Sequence, residues 1–243
     1  MIARTAAVIE PGGVVGELAC APPLTLRKVR GEDPGRCELR LVGTAAGPLP
    51  GDDLELCLQL KPGARAVLRA TGSQLAQGRA GSGAAAALSV RAELGDGAFL
   101  DADPGPLIVC AGSRVDVRVE LALGQGTVVR WRELIVLGRT GEPSGQATLQ
   151  WDVTRAGRAL FRQSVDLAHQ GRTLVGGRRV LASALLAGLA GPPRTVVASP
   201  QAVAQLVADD TLLVTVLGDD AASATRQLDE LCHRAEAGGD PRE

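Results

Sequence analysis

AFLDADPGPLIVCAGSRVDVRVELALGQGTVVRWRELIVLGRTGE, residues Ala98–Glu142, is the stretch whose reading decides the fold. Within it Val115, Val117, Val119 and Leu121 alternate with Arg114, Asp116, Arg118 and Glu120. An extended chain sends successive side chains to opposite faces, so this pattern is a strand with one face in a core and one in water. Thr127–Val136 predicts a second strand. A turn at Pro104-Gly105-Pro106 precedes the pair, Gly124-Gln125-Gly126 joins it, and Gly141-Glu142-Pro143 closes it.

The same pattern recurs outward. Leu54, Leu56, Leu58 and Leu60 alternate with Glu55, Cys57 and Gln59. Weaker copies lie at Leu24–Val29, Cys37–Val42, Ala64–Arg69, Leu88–Glu93, Ala147–Val153 and Leu160–Leu167. Gly51-Asp52-Asp53, Pro62-Gly63 and Gly95-Asp96-Gly97 punctuate them, while Gly78–Ala87 reads as a loop. Strands at this spacing from Pro22 to about Leu167 predict a mainly β body, as a sandwich, barrel or β-solenoid.

The last third, about 179–237, reads as a smaller α/β part. Arg179–Leu189 is Leu/Ala-rich and predicts a helix ended by Gly191-Pro192-Pro193. Ser199-Pro200 offers an N-cap and a proline at the first helical position, predicting a short helix through about Ala208. Thr211–Leu217 reads as a buried strand. Asp220 caps a final helix, Ala221–Ala237, with Ala224, Leu228, Leu231 and Ala235 on one face; Gly238-Gly239 stops it and Asp240–Glu243 is expected to fray. The whole of 1–243 is expected to form a single domain.

Composition narrows the function. The chain has 45% hydrophobic but only 2% aromatic residues and no tyrosine, which argues against a carbohydrate or base-stacking platform. Its 26 basic and 27 acidic residues are interspersed, so no basic stripe points to nucleic acid or an anionic membrane. Five cysteines without a CxxC pair encode neither a zinc site nor a redox motif. MIARTAAVIEPGG lacks the apolar core of a signal peptide, and no apolar run reaches the roughly 18 residues of a membrane span, so a cytoplasmic protein is expected.

Chemistry is sparse. His169 falls in an apparent turn and His233 on the last helix, neither beside a nucleophile motif. Paired aspartates such as Asp52-Asp53 and Asp209-Asp210 suit turns and caps. Glu133 lies inside a strand, where it either faces solvent or pairs with a cation, Arg139 being the candidate. The residues describe a non-enzymatic protein.

Several phrases resemble the urease accessory protein D (UreD/UreH) family. They are Pro50-Gly51-Asp52-Asp53-Leu54, Pro62-Gly63-Ala64-Arg65-Ala66, Ala98–Pro106, Leu137-Gly138-Arg139-Thr140-Gly141-Glu142 and the LLVTVLGDD strand, in order across Leu24–Ala235. The chain departs from the pattern at Arg69-Ala70-Thr71, where the family often has Thr-Thr-Gln, and at Asp101, where it has Glu. The resemblance implies a β-solenoid-like stack with a small helical part and a role in assembling the nickel centre of urease. It implies docking on apo-urease and recruitment of accessory protein F and the nickel-binding GTPase, accessory protein G. It also implies a water-filled passage for nickel in transit, with no tightly bound metal and no cofactor. Asp52, Asp101, Glu133 and Glu142 are then the candidate acidic groups, with Arg139 orienting one of them. The alternatives are a β-solenoid carbohydrate-active enzyme and a generic β-rich interaction module.

Overall fold

The computed structural model describes residues 1–79, 82–167, 175–191 and 193–236. The turn at His169, the Gly238-Gly239 stop and the tail beyond it lie outside the described residues. The strands are β1 (Ile2–Glu10), β2 (Val14–Ala19), β3 (Leu24–Val29), β4 (Cys37–Gly43), β5 (Asp53–Leu60), β6 (Arg65–Ala70), β7 (Gln74–Ala76), β8 (Ala86–Leu94) and β9 (Phe99–Asp103). Then follow β10 (Pro106–Val109), β11 (Arg114–Leu123), β12 (Val128–Leu137), β13 (Gln146–Arg155), β14 (Arg158–Asp166), β15 (Val180–Ala187), β16 (Val196–Ser199), β17 (Ala202–Ala208), β18 (Thr211–Gly218) and helix α1 (Ala221–Glu236).

The predicted β body is a solenoid-like stack. Strands β5, β8 and β11 pair in parallel in one sheet, in the order β14-β13-β11-β8-β5-β1-β2. Each runs through a corner into β6, β9 or β12, which pair in parallel in the second sheet. The corners stack as well: Gly63 N donates to Asp96 O and Gly97 N to Gln125 O, each at 2.8 Å. Glycine is required where the rungs touch, because a Cβ on Gly95 would lie 2.6 Å from Pro62 N, and one on Gly124 2.6 Å from Asp96 Oδ1.

Parallel register converts the alternation read from sequence into ladders of like residues. Leu60, Leu94 and Leu123 align across the first sheet, as do Leu56, Val90 and Val119. All are buried between the sheets. Aliphatic stacking of this kind needs no aromatic filler, which accounts for the low aromatic content.

Two predicted helices are corrected. Val180–Ala187 is strand β15, buried on both faces because it lies between β12 and β18 in one sheet and beneath α1. A segment apolar on every side carries no period that separates helix from strand. Ala202–Ala208 is strand β17, paired with β18, and Ser199 caps a turn instead, its Oγ accepting from Gln201 N at 3.2 Å. Only the last predicted helix stands among the described residues. Asp220 caps it, accepting from Ser223 N at 2.9 Å, and Ala224, Leu228, Leu231 and Ala235 are buried against β15 and β18. The β body also begins earlier than Pro22: β1 contributes Ala3, Thr5, Ala7 and Ile9 to the inner face, a row that two alanines and a threonine disguise. No helix among the described residues is long and apolar enough to cross a membrane.

Candidate functional site

A seam interrupts the second sheet. β12 pairs with β9 through Val128–Trp131 and with β10 through Leu134–Leu137, leaving Arg132 and Glu133 unpaired on that side. Pro104-Gly105 separates β9 from β10, and 71–73 separates β6 from β7 in the adjoining rung. The turn predicted at Pro104–Pro106 is thus a two-residue break between strands. Three cavities meet at this seam. An outer pocket of about 340 Å³ reaches Arg69, Asp103, Arg132 and Glu133, and a second of about 240 Å³ reaches Leu41, Gly47 and Gln74. Between the sheets lies a small chamber of about 30 Å³, which shares Glu133 with the first pocket and Gln74 with the second.

Glu133 occupies an inward position of β12, with Trp131 and Ile135. It neither faces solvent nor meets Arg139, contrary to the sequence expectation. Its Oε2 accepts from Trp151 Nε1 on β13 at 2.7 Å, a bond that ties the two sheets together. Burial among aliphatic side chains pushes its carboxyl up to about 7, against the lowering effect of the indole bond. Trp131 and Gln74 line the same chamber, and Trp131 Nε1 and Gln74 Oε1 are buried with no hydrogen-bond partner in the protein.

The other predicted residues lie elsewhere. Asp52 is buried at a turn, where burial would raise its carboxyl but bonds from the Met1 amine (2.7 Å) and Leu49 N (2.9 Å) bring it below the usual range. Asp101 sits on the outer face of the second sheet, where Arg69 Nη2 donates to its Oδ2 at 2.7 Å and Arg69 Nη1 to its carbonyl at 2.8 Å. Arg139 and Glu142 form an exposed two-point pair of 2.9 and 3.0 Å beyond β12, and the Arg139 guanidinium draws Glu142 down to about 2. Only Arg139 and Glu142 are brought together. Arg179, which the sequence reading passed over, fixes their turn by donating to the carbonyls of Leu137, Arg139 and Glu142.

Trp131, Trp151 and Gln74 were also missed as a group. Parity held one signal: residues two apart in a strand share a face, so Glu133 had to lie with Trp131 and Ile135. Nothing local marked Trp151 or Gln74, since they arrive from other rungs. Among the described residues, no group of three or more His, Cys, Asp or Glu side chains is arranged to hold a metal ion.

The family model described as UreD urease accessory protein matches residues 7–242, which takes in both sheets, the seam and the helix. The chain belongs to the UreD family. A UreD of Parafrankia sp. (strain EAN1pec) is 33% identical over 92% of this chain and 84% of its own length. A UreD of Frankia alni is 34% identical over 82% of this chain and 75% of its own, and UreD 1 of Streptomyces griseus is 34% identical over 71% and 70%. These relatives are accessory proteins by name, and membership supports a urease accessory role.

Proposed function

We propose that this chain is a non-enzymatic maturation factor that docks on apo-urease and recruits accessory protein F and the GTPase, accessory protein G, so that nickel reaches the urease active site. The family match across 7–242 is the observation that carries this reading. In it, nickel is cargo. A hydrated cation would move from the outer pocket through the seam at Pro104-Gly105 to the chamber and on to the second pocket, shedding most of its water shell where the chamber narrows to about 30 Å³. Tight His or Cys ligation would trap the ion instead of passing it. Glu133 faces the chamber, and Asp101 acts at its mouth by fixing Arg69, which lines the outer pocket. Asp52 lies beside Gly47 of the second pocket. Arg139 and Glu142 line none of the three cavities, and we assign them to shaping the corner after β12.

The test is co-expression with the urease subunits. The chain should be captured with apo-urease, and its deletion should leave urease inactive and poor in nickel. Full nickel loading in its absence would refute the proposal.

A further inference from the structure

Two carboxylates are buried in the described body, Asp52 and Glu133. Asp52 has an ammonium at 2.7 Å, whereas Glu133 has one indole N–H and no cation. The chamber around Glu133 is walled by aliphatic side chains of β3, β4, β5, β8, β10 and β11, by Pro104-Gly105, by Gln74 of β7, and by Trp131, Leu134 and Ile135 of its own strand. Trp151 completes the set from β13. None of these groups is ionisable. The charged groups that share a pocket with Glu133 are Arg69, Asp103 and Arg132; they line the cavity outside the seam, where Arg69 is bound to Asp101 and Arg132 to Asp229.

The chamber is nonetheless built for water. Two of its wall residues, Trp131 and Gln74, carry a buried indole donor and a buried amide acceptor without protein partners. Leaving such groups dry is unfavourable, and water relieves it. Its volume of about 30 Å³ exceeds the roughly 10–15 Å³ that one water requires. A water held there would have Trp131, Gln74 and Glu133 among its wall residues, and the chamber shares Glu133, Leu134 and Gly105 with the outer pocket.

We infer that Glu133 is a proton switch for the chamber: as a neutral acid it leaves the chamber uncharged and closed to cations, and as a carboxylate it makes the chamber anionic and open to them. The step is a proton transfer from the Glu133 carboxyl to chamber water, giving hydronium that leaves through the seam. No other bond changes. The inference rests on the reading of the cavities as a cation route, and adds to it what decides when the route conducts.

The molecule carries its own reporter. Its two tryptophans are Trp131 and Trp151, both at Glu133, and it has no tyrosine. Intrinsic emission of the full chain, titrated without metal, should change in a single step centred near 7. Glu133→Gln should abolish the step, while Trp151→Phe should keep it through Trp131 and move its midpoint upward, because the donor favouring the carboxylate is gone. A flat wild-type titration, or a step that survives in Glu133→Gln, overturns the switch. In a second arm, urease is activated by the reconstituted complex across the same range, and the rate should rise about tenfold from about pH 6 to about pH 8, following the ionised fraction. The Glu133→Gln complex should be slow and pH-independent. A wild-type rate insensitive to pH overturns the switch while leaving the maturation role standing; failure of the wild-type chain to be captured by apo-urease removes the role itself.

Discussion

Replacing Glu133 by glutamine should make the fold more stable at alkaline pH. Folded, the carboxyl holds its proton up to about 7, against an ordinary value of 4.5. The native state therefore binds this proton more tightly than the unfolded chain. Stability from this group is complete below 4.5, falls as pH rises through the interval to about 7, and is level above it. At about 1.4 kcal/mol per unit, the ionised side chain costs the fold about 3 kcal/mol at pH 8. Glutamine avoids that cost and keeps an oxygen for Trp151, while its amide N–H groups face a chamber that offers Gln74 Oε1. Urea unfolding of both proteins at several pH values isolates the effect, because every other titrating group cancels in the difference. The pH-dependent part of the difference should be near zero at about pH 4 and grow to about 3 kcal/mol in favour of Glu133→Gln by about pH 8. A difference that does not vary with pH would refute the claim that Glu133 is buried without a compensating cation.

Four further outcomes test other parts of the structure. Gly188→Ala should unfold or severely destabilise the chain, read as a lost thermal transition, because Gly188 has φ +77° and a Cβ there would lie 2.0 Å from Thr127 O. Leu228→Ala should cost about 3 kcal/mol and expose 221–236 to proteolysis first, since Leu228 anchors α1 to β15 and β18. Under native conditions a thiol reagent should label Cys20, which is exposed, and spare Cys232, whose burial pushes its thiol up to about 12; rapid labelling of Cys232 would show that the helix is not docked. The Glu142 carboxyl resonance should titrate near 2 in the native chain and move toward 4.5 in Arg139→Ala; an unchanged midpoint would show that the pair does not hold in solution.

Strand content was legible from sequence because one face of each strand is buried and the other is not. β5 and β11 could be read residue by residue, and their parallel stacking preserves the pattern as ladders. Legibility failed where that asymmetry ends. β15 is apolar on both faces and mimics a Leu/Ala helix, and β17 follows a Ser-Pro pair that suits a cap and a turn equally. In both cases the deciding contact, the ladder with β18, comes from residues further along the chain.

The candidate residues divide by the same logic. Arg139 and Glu142 are three apart, so their pairing is local and sequence proximity was enough to suggest it. Glu133 was noticed because a carboxylate inside a strand is anomalous, yet its surroundings could not be inferred: Trp151 lies 18 residues away, and Gln74 enters the chamber from another rung. A solenoid stacks residues separated by a whole rung, so its interior chemistry is composed of positions that share no local motif. The departure at Arg69-Ala70-Thr71 has the same character. It looks like a change in a turn, but β6 ends at Ala70, Thr71 opens the break before β7, and all three residues line the outer pocket at the seam. Arg69, held by Asp101, borders the same pocket as Glu133, so a segment that looks local in sequence shares its cavity with a residue more than sixty positions further along the chain.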